Sequence, residues 1–183
     1  MIRSLSVTLA GALMISGCAG PIETRVRTHQ LVAEPAQKQF TLSSNDTVAN
    51  RNIELAREMV ATALNERGYQ SSANAPIRVH VAISERPADI AITASEKDAL
   101  QSIAAAKKQK QFQSCKDLEH RLTVSLFDQA SRTKLYEGSA AEYHCKGTVA
   151  QSLPFLIDSA LSGLGGQPAD GPAETVRVRE GIE

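Results

Sequence analysis

The chain has 183 residues, its 20 Lys and Arg are balanced by 20 Asp and Glu, and it contains no Trp. A neutral chain of this size supports one domain with a single core. It also removes the usual electrostatic argument for nucleic acid or an anionic bilayer as partner. Aromatic residues make up only 4% of the chain, so Ile, Val, Leu and Ala must supply the core.

The N-terminal segment has Arg3 as its single charge, then an apolar run from Leu5 to Ile15 that leads into Ile15-Ser16-Gly17-Cys18. That run is far shorter than the roughly 20 residues a membrane-spanning helix needs. A charged start, a short apolar middle and small residues at the end describe a secretory signal. An apolar residue three before a cysteine, followed by two small residues, is the pattern of a bacterial lipobox. The expectation is a signal peptide over residues 1–17 and lipid on Cys18. Cleavage after Ala19 and a buried N-terminal helix both leave the position of the cysteine unexplained. One acyl chain contributes about 0.8 kcal/mol per buried methylene and holds a protein only marginally, so a lasting anchor takes more than one chain. Ala19, rather than aspartate, after the cysteine points to the outer membrane, on its periplasmic side.

Residues 18–23 read as a tether. Thr24–Val32 is expected to be a strand, and Lys38–Ser43, with Phe40 and Leu42 at period two, a second. Pro35 between them leaves open one bulged edge strand or two elements. The clearest helix runs from an N-cap at Asn45 or Asp46 to Gly68 as C′ residue, with Ile53, Ala56, Met59, Val60, Ala63 and Leu64 as its apolar stripe. Ile77–Ile83 alternates strictly and reads as a strand buried on one face, with Arg78 and His80 on the other. Ser95-Glu-Lys-Asp98 has the form of a capping box. With Leu100, Ile103 and Ala104 behind it, a helix over 95–113 is expected, ending in Lys107, Lys108 and Lys110 where lysines complement the dipole.

Leu118–Phe127 and Leu135–His144 are expected to pair as a hairpin about a turn near 130–131, begun by the side chain of Asp128, with Gly138 as a bulge or close-packing site. Cys115 and Cys145 are near mirror images about that centre. Facing residues on antiparallel strands have Cα atoms about 4.5–5.5 Å apart, within disulfide range. With Cys18 lipidated, these two are the remaining cysteines of an exported chain, and a disulfide is expected. A last helix spans Thr148–Leu164, capped by Ser152, with Pro154 near its first turn. Val176-Arg-Val178-Arg alternates like an edge strand, but the Gly- and Pro-rich approach makes a flexible tail over 167–183 the expectation.

Asn50–Tyr69, Ile77–Ile83, Leu122–Asp128 and Lys134-Leu-Tyr-Glu-Gly-Ser-Ala140 together resemble a family of small bacterial outer-membrane lipoproteins known as a domain of unknown function. The likeness lies in an Arg-Gly-aromatic corner after the helix, and in an aliphatic strand ending in Asp joined to a Lys-Leu-aromatic-x-Gly strand. It spans residues 48–164 apart from the stretch around 90–115. It implies an α+β domain, helices on an antiparallel sheet, with no assigned catalytic residues. The fold expected over 24–166 is therefore α+β: an antiparallel sheet with two main helices packed on one face, plus the inserted helix.

Catalytic and metal motifs are missing. Cys115, His120, His144 and Cys145 formally offer a zinc set, but adjacent His144 and Cys145 should point to opposite faces of a strand. Ser131-Arg-Thr-Lys134 matches S-x-x-K only by chance, in a hairpin turn. No cofactor is expected. The reading is a non-enzymatic, lipid-anchored module that binds another envelope component, with Arg78, His80, Lys107, Lys108 and Lys110 as its partner surface. A carrier or sensor of a small apolar ligand such as lipid is the alternative.

Overall fold

A computed structural model describes residues 21–43, 50–96, 99–109 and 115–180. Nine strands and two helices occur among them: β1 (Ile22–Gln30), β2 (Gln39–Leu42), α1 (Arg51–Glu66), β3 (Gln70–Ser71), β4 (Ile77–Pro87), β5 (Ile92–Glu96), β6 (Ala99–Ala104), β7 (Leu118–Asp128), β8 (Lys134–His144), α2 (Val149–Ala160) and β9 (Ala173–Arg179). The main sheet has seven strands in the order β3-β2-β4-β7-β8-β1-β9, and β5 and β6 form a separate two-stranded sheet. The expected α+β architecture, with two helices on one face of a sheet, is what the chain adopts.

The sheet is mixed rather than purely antiparallel, because β2 runs parallel to both β3 and β4. The cause is α1. It carries the chain back across the sheet between β2 and β4, and such a crossover makes the flanking strands parallel. Asn50, not Asn45 or Asp46, caps α1: its side chain accepts from the Asn52 amide at 3.0 Å. At the other end Gly68 takes φ +84°, and the Tyr69 amide turns back to the Leu64 carbonyl at 3.0 Å. That is the left-handed helix stop expected of the glycine.

Period-two alternation on β4, β7 and β8 builds the core. Ile77, Val79, Val81, Leu122, Val124, Leu126, Tyr136 and Ala140 all point toward the helices and are buried. Val60 and Leu64 of α1 and Leu153, Leu156 and Ile157 of α2 meet them. Gly138 is the close-packing site, lying directly under the Ala160 carbonyl, to which Tyr136 Oη donates at 2.5 Å. Asp128 opens the β7–β8 turn, accepting from the Ser131 amide at 2.7 Å and its hydroxyl at 2.8 Å.

Three further expectations change. Ile92–Glu96 and Ala99–Ala104 pair as antiparallel strands, with Glu96 opposite Ala99, where a helix over 95–113 was expected. A helix there would have had only Leu100, Ile103 and Ala104 to dock, and isolated helices of about 12–15 residues are marginal in water. Thr148, not Ser152, caps α2 through a capping box with Gln151, leaving Ser152 inside the first turn. The segment read as a flexible tail contains β9, paired antiparallel along β1. Its hold is long-range: Arg177 meets Asp158 at 3.0 Å and Arg179 forks onto Glu142 at 3.0 and 2.6 Å.

Candidate functional site

Cys115 and Cys145 are joined as a disulfide, Cα–Cα 5.6 Å. They lie just beyond the last β7–β8 pair, Leu118 opposite His144, and close the open end of the hairpin. Cys18 and Lys110 lie outside the described residues.

On the helix side of the sheet a polar row crosses the core. Register places Glu85 opposite His120, His120 opposite Glu142, and Glu142 opposite Thr24. The first turn of α2 lowers Ser152 onto this row. Its Oγ lies 3.0 Å from both His120 Nδ1 and His144 Nε2, and the two imidazoles stack with centroids 4.9 Å apart. Glu142 accepts from His144 Nε2 at 2.9 Å, from Thr24 Oγ1 at 2.6 Å and from Arg179. Burial alone would raise the Glu142 carboxyl, but the hydrogen bonds from His144, Arg179 and Thr24, with the charge of Arg179, bring it down to about 2.

A charged Glu142 requires a hydrogen on His144 Nε2, which donates to it. The Ser152 hydroxyl then has two acceptors in reach, His120 Nδ1 at 3.0 Å and the Thr148 carbonyl at 3.4 Å, and the far ring nitrogen of His120 is Nε2. That nitrogen lies 3.2 Å from Glu85 Oε2 but off the direction of a good hydrogen bond. Burial first, and then the neighbouring His144, push the His120 pKa below its ordinary value, partly offset by Glu85 and Glu142.

The order Ser152–His120–Glu85 looks like nucleophile, base and orienting acid. However, the Ser152 and His120 side chains are fully buried, so neither has an open side for a substrate. The cluster acts as a buried polar clasp that ties α2, β7, β8 and β9 together. Among the described residues no three His, Cys, Asp or Glu are placed to hold a metal ion.

The opposite face of the sheet carries no helix. Arg25, Arg27, Arg78, His80 and Ser84 stand exposed on it. Arg78 donates to Gln129 Oε1 at 2.7 Å, and His80 meets the Phe127 ring edge-on at 5.3 Å. Lys107 is elsewhere: its amide bonds the Ala88 carbonyl beyond the far end of β4, and its Nζ lies 2.8 Å from Asp117. At about 3.3 Å per residue, His80 and the end of β4 are roughly 23 Å apart. Thus Arg78 and His80 do not form one patch with Lys107 and the exposed Lys108.

Lys107 instead joins residues that the sequence reading passed over. Its Nζ lies 4.7 Å over the Tyr143 ring, whose other cation is Arg25, 5.2 Å from the centroid. Next to them Arg86 and Arg121 share the buried Glu119, at 2.5 and 2.9 Å. Burial would raise that carboxyl, but hydrogen bonds and charge from Arg121 and Arg86 hold it below the usual range. Strand parity could have found this set, since Arg25, Arg121 and Tyr143 all face away from the apolar alternation. A second concavity of about 420 Å³ lies between the helices over Met59, Ala63 and Ile157. Glu58, Glu66, Arg67 and Asp158 also line it, and they would set charge against an apolar ligand.

No protein-family profile matches the sequence, and no curated protein matches it. Solved structures are similar in fold. A dodecamer of a PelC point variant from Paraburkholderia phytofirmans is 14% identical, with TM-score 0.50 over 79% of this chain and 98% of that one. A PDZ domain protein from Parabacteroides distasonis is 10% identical, with TM-score 0.53 over 87% of this chain but only 40% of that one. At such identities the likeness is one of fold alone. The resemblance to outer-membrane lipoproteins of unknown function rests on the sequence motifs that carry it.

Proposed function

We propose that this protein is a non-enzymatic binding module, held by lipid on Cys18 at the periplasmic side of the outer membrane, that docks another envelope component on the helix-free face of its sheet. The observation that carries this reading is that face. Both helices cover the other side, while Arg25, Arg27, Arg78 and the edge residues Val176 and Val178 are exposed. Arg and Tyr are the residue types enriched where proteins dock, since each brings contact area and donors together. The lipobox pattern at Ile15–Cys18 supports the tether. A tethered module meets membrane-bound partners at raised effective concentration, so a weak interface suffices without a chemical step. The burial of Ser152, His120 and His144 supports this reading, since their contacts have no open side for a substrate.

The test compares partner capture by the full-length protein with capture by variants. Charge reversal at Lys108 and Lys110 should weaken capture while the disulfide and thermal unfolding stay unchanged; Lys107 is kept, because it holds Asp117. Unchanged capture would reduce the lysines to a solvated segment. Turnover of a substrate by the purified protein, abolished by one Asp, His or Ser substitution, would overturn the non-enzyme reading.

A further inference from the structure

The helix-free face contains a groove of about 480 Å³, lined by Arg25, Arg27, Arg121, Ser139 and Tyr143 together with Ala104, Ala105 and Val176. Its origin is the strand register. Arg25 and Arg121 both pair with Ala141, so one row across β1, β8 and β7 reads Arg-Ala-Arg. The next row reads Arg27-Ser139-Thr123. Two small side chains on β8 thus form the floor of a trough between long arginines. With strands about 4.8 Å apart, the outer strands β1 and β7 stand about 10 Å from one another.

Charge in the groove is unbalanced: its lining holds three arginines against one glutamate. That residue, Glu174, is 75% exposed and only reaches within 3.7 Å of Arg27, a loose pairing in water. Arg121 is partly committed to Glu119. Arg25 contacts the Tyr143 ring and hydroxyl, the latter at 3.4 Å, and has no carboxylate partner among the described residues. Arg25 and Arg27 therefore keep free N–H forks, whose planar geometry matches two oxygens of one acid group. Ala104, Ala105 and Val176 supply apolar wall beside them. The volume is that of a small-molecule site, which runs about 300–1,000 Å³.

We infer that this groove is a binding site for a small organic acid, its carboxylate or phosphate held by Arg25, Arg27 and Arg121 and its body lying against Ala104, Ala105 and Val176. The inference rests on the reading of this face as the binding face and specifies its ligand. The test uses the full-length protein in uncharged detergent, titrated at constant ionic strength with inorganic phosphate or with butyrate and followed by amide NMR. The expected result is saturable shifts confined to Arg25–Arg27 and Ser139–Tyr143, with each probe competing against the other. The tighter of the two identifies a phosphoryl or a carboxylate ligand. The double variant R25Q/R27Q should weaken binding at least tenfold, and R78Q, on the same face but away from the groove, should not change it.

Shifts that fail to saturate, or that persist in R25Q/R27Q, would overturn the site. If neither probe saturates yet R25Q/R27Q still loses partner capture, the small-ligand assignment fails and the docking face stands. Saturable binding with capture unaffected by R25Q/R27Q upholds the site and counts against docking there.

Discussion

A methyl group added at Gly138 would sit 1.8 Å from the Ala160 carbonyl oxygen and 2.7 Å from Tyr136 Oη. Neither can yield cheaply, one being helix backbone and the other a fully buried ring. G138A should therefore destabilise by about 1–3 kcal/mol, the usual cost of overpacking, measured by urea unfolding. The buried clasp predicts a pH dependence in two stages. His120 has a depressed pKa, so the unfolded chain takes up the proton first. Stability is full above the ordinary histidine value and falls as pH drops below about 6.5. Glu142, brought down from 4.5 to about 2, contributes stability that is present above 4.5 and lost as pH falls toward 2. H120Q should flatten the first stage and leave the second, and E142Q should reduce the second to what Glu119 and Asp128 contribute, as read from unfolding midpoints at a series of pH values. The face of each of these residues was legible in the sequence. Leu122, Val124 and Leu126 point inward, and the same parity puts His120 inward. What sequence could not show was the height of α2 above the sheet, which brings Ser152 between the two rings.

Among elements, those with strong local periodicity were the legible ones. α1, β4 and the β7–β8 hairpin follow from the spacing of Val60 and Leu64, of Ile77–Val81, and of Leu122–Leu126 about Asp128. The disulfide follows from the same hairpin symmetry. Closing its loop, a sequence separation of 30, should contribute about 3–4 kcal/mol in the chain-entropy model. Replacing both cysteines by serine should lower the unfolding free energy by that amount without moving the β7–β8 register. The misread elements depend on distant partners. Residues 92–104 have alanines that favour helix and β-branched Ile92, Thr93 and Ile103 that favour strand, and pairing decides. β9 reads as a tail until β1 offers it an edge and Glu142 and Asp158 receive its arginines. Glu142 is fully buried, and taking away one partner of a buried ion pair leaves a charge uncompensated. R179A should therefore raise hydrogen exchange along Ala173–Arg179 well before the core strands respond.

At the scale of the molecule the sheet separates two roles. The helix side holds the core and the clasp that secures β1 and β9 to it, whereas the bare side carries the exposed arginines and the groove. No helix among the described residues is long and apolar enough to cross a membrane. The proposed attachment is through Cys18. Replacing Cys18 by Ser should leave the precursor uncut or release the protein from the membrane fraction; a variant matured and membrane-bound as before would remove the anchor. The central claim, that the protein works by contact through its bare face, is tested most directly by site-specific photocrosslinking in intact cells. A photoreactive residue would replace Ala82 on the bare face or Thr62 on the exposed side of α1, each in the full-length protein. The account predicts a discrete crosslinked partner from position 82, absent from position 62 and lost when Cys18 is Ser. Equal crosslinking from both positions, or a discrete partner from position 62 alone, would contradict it.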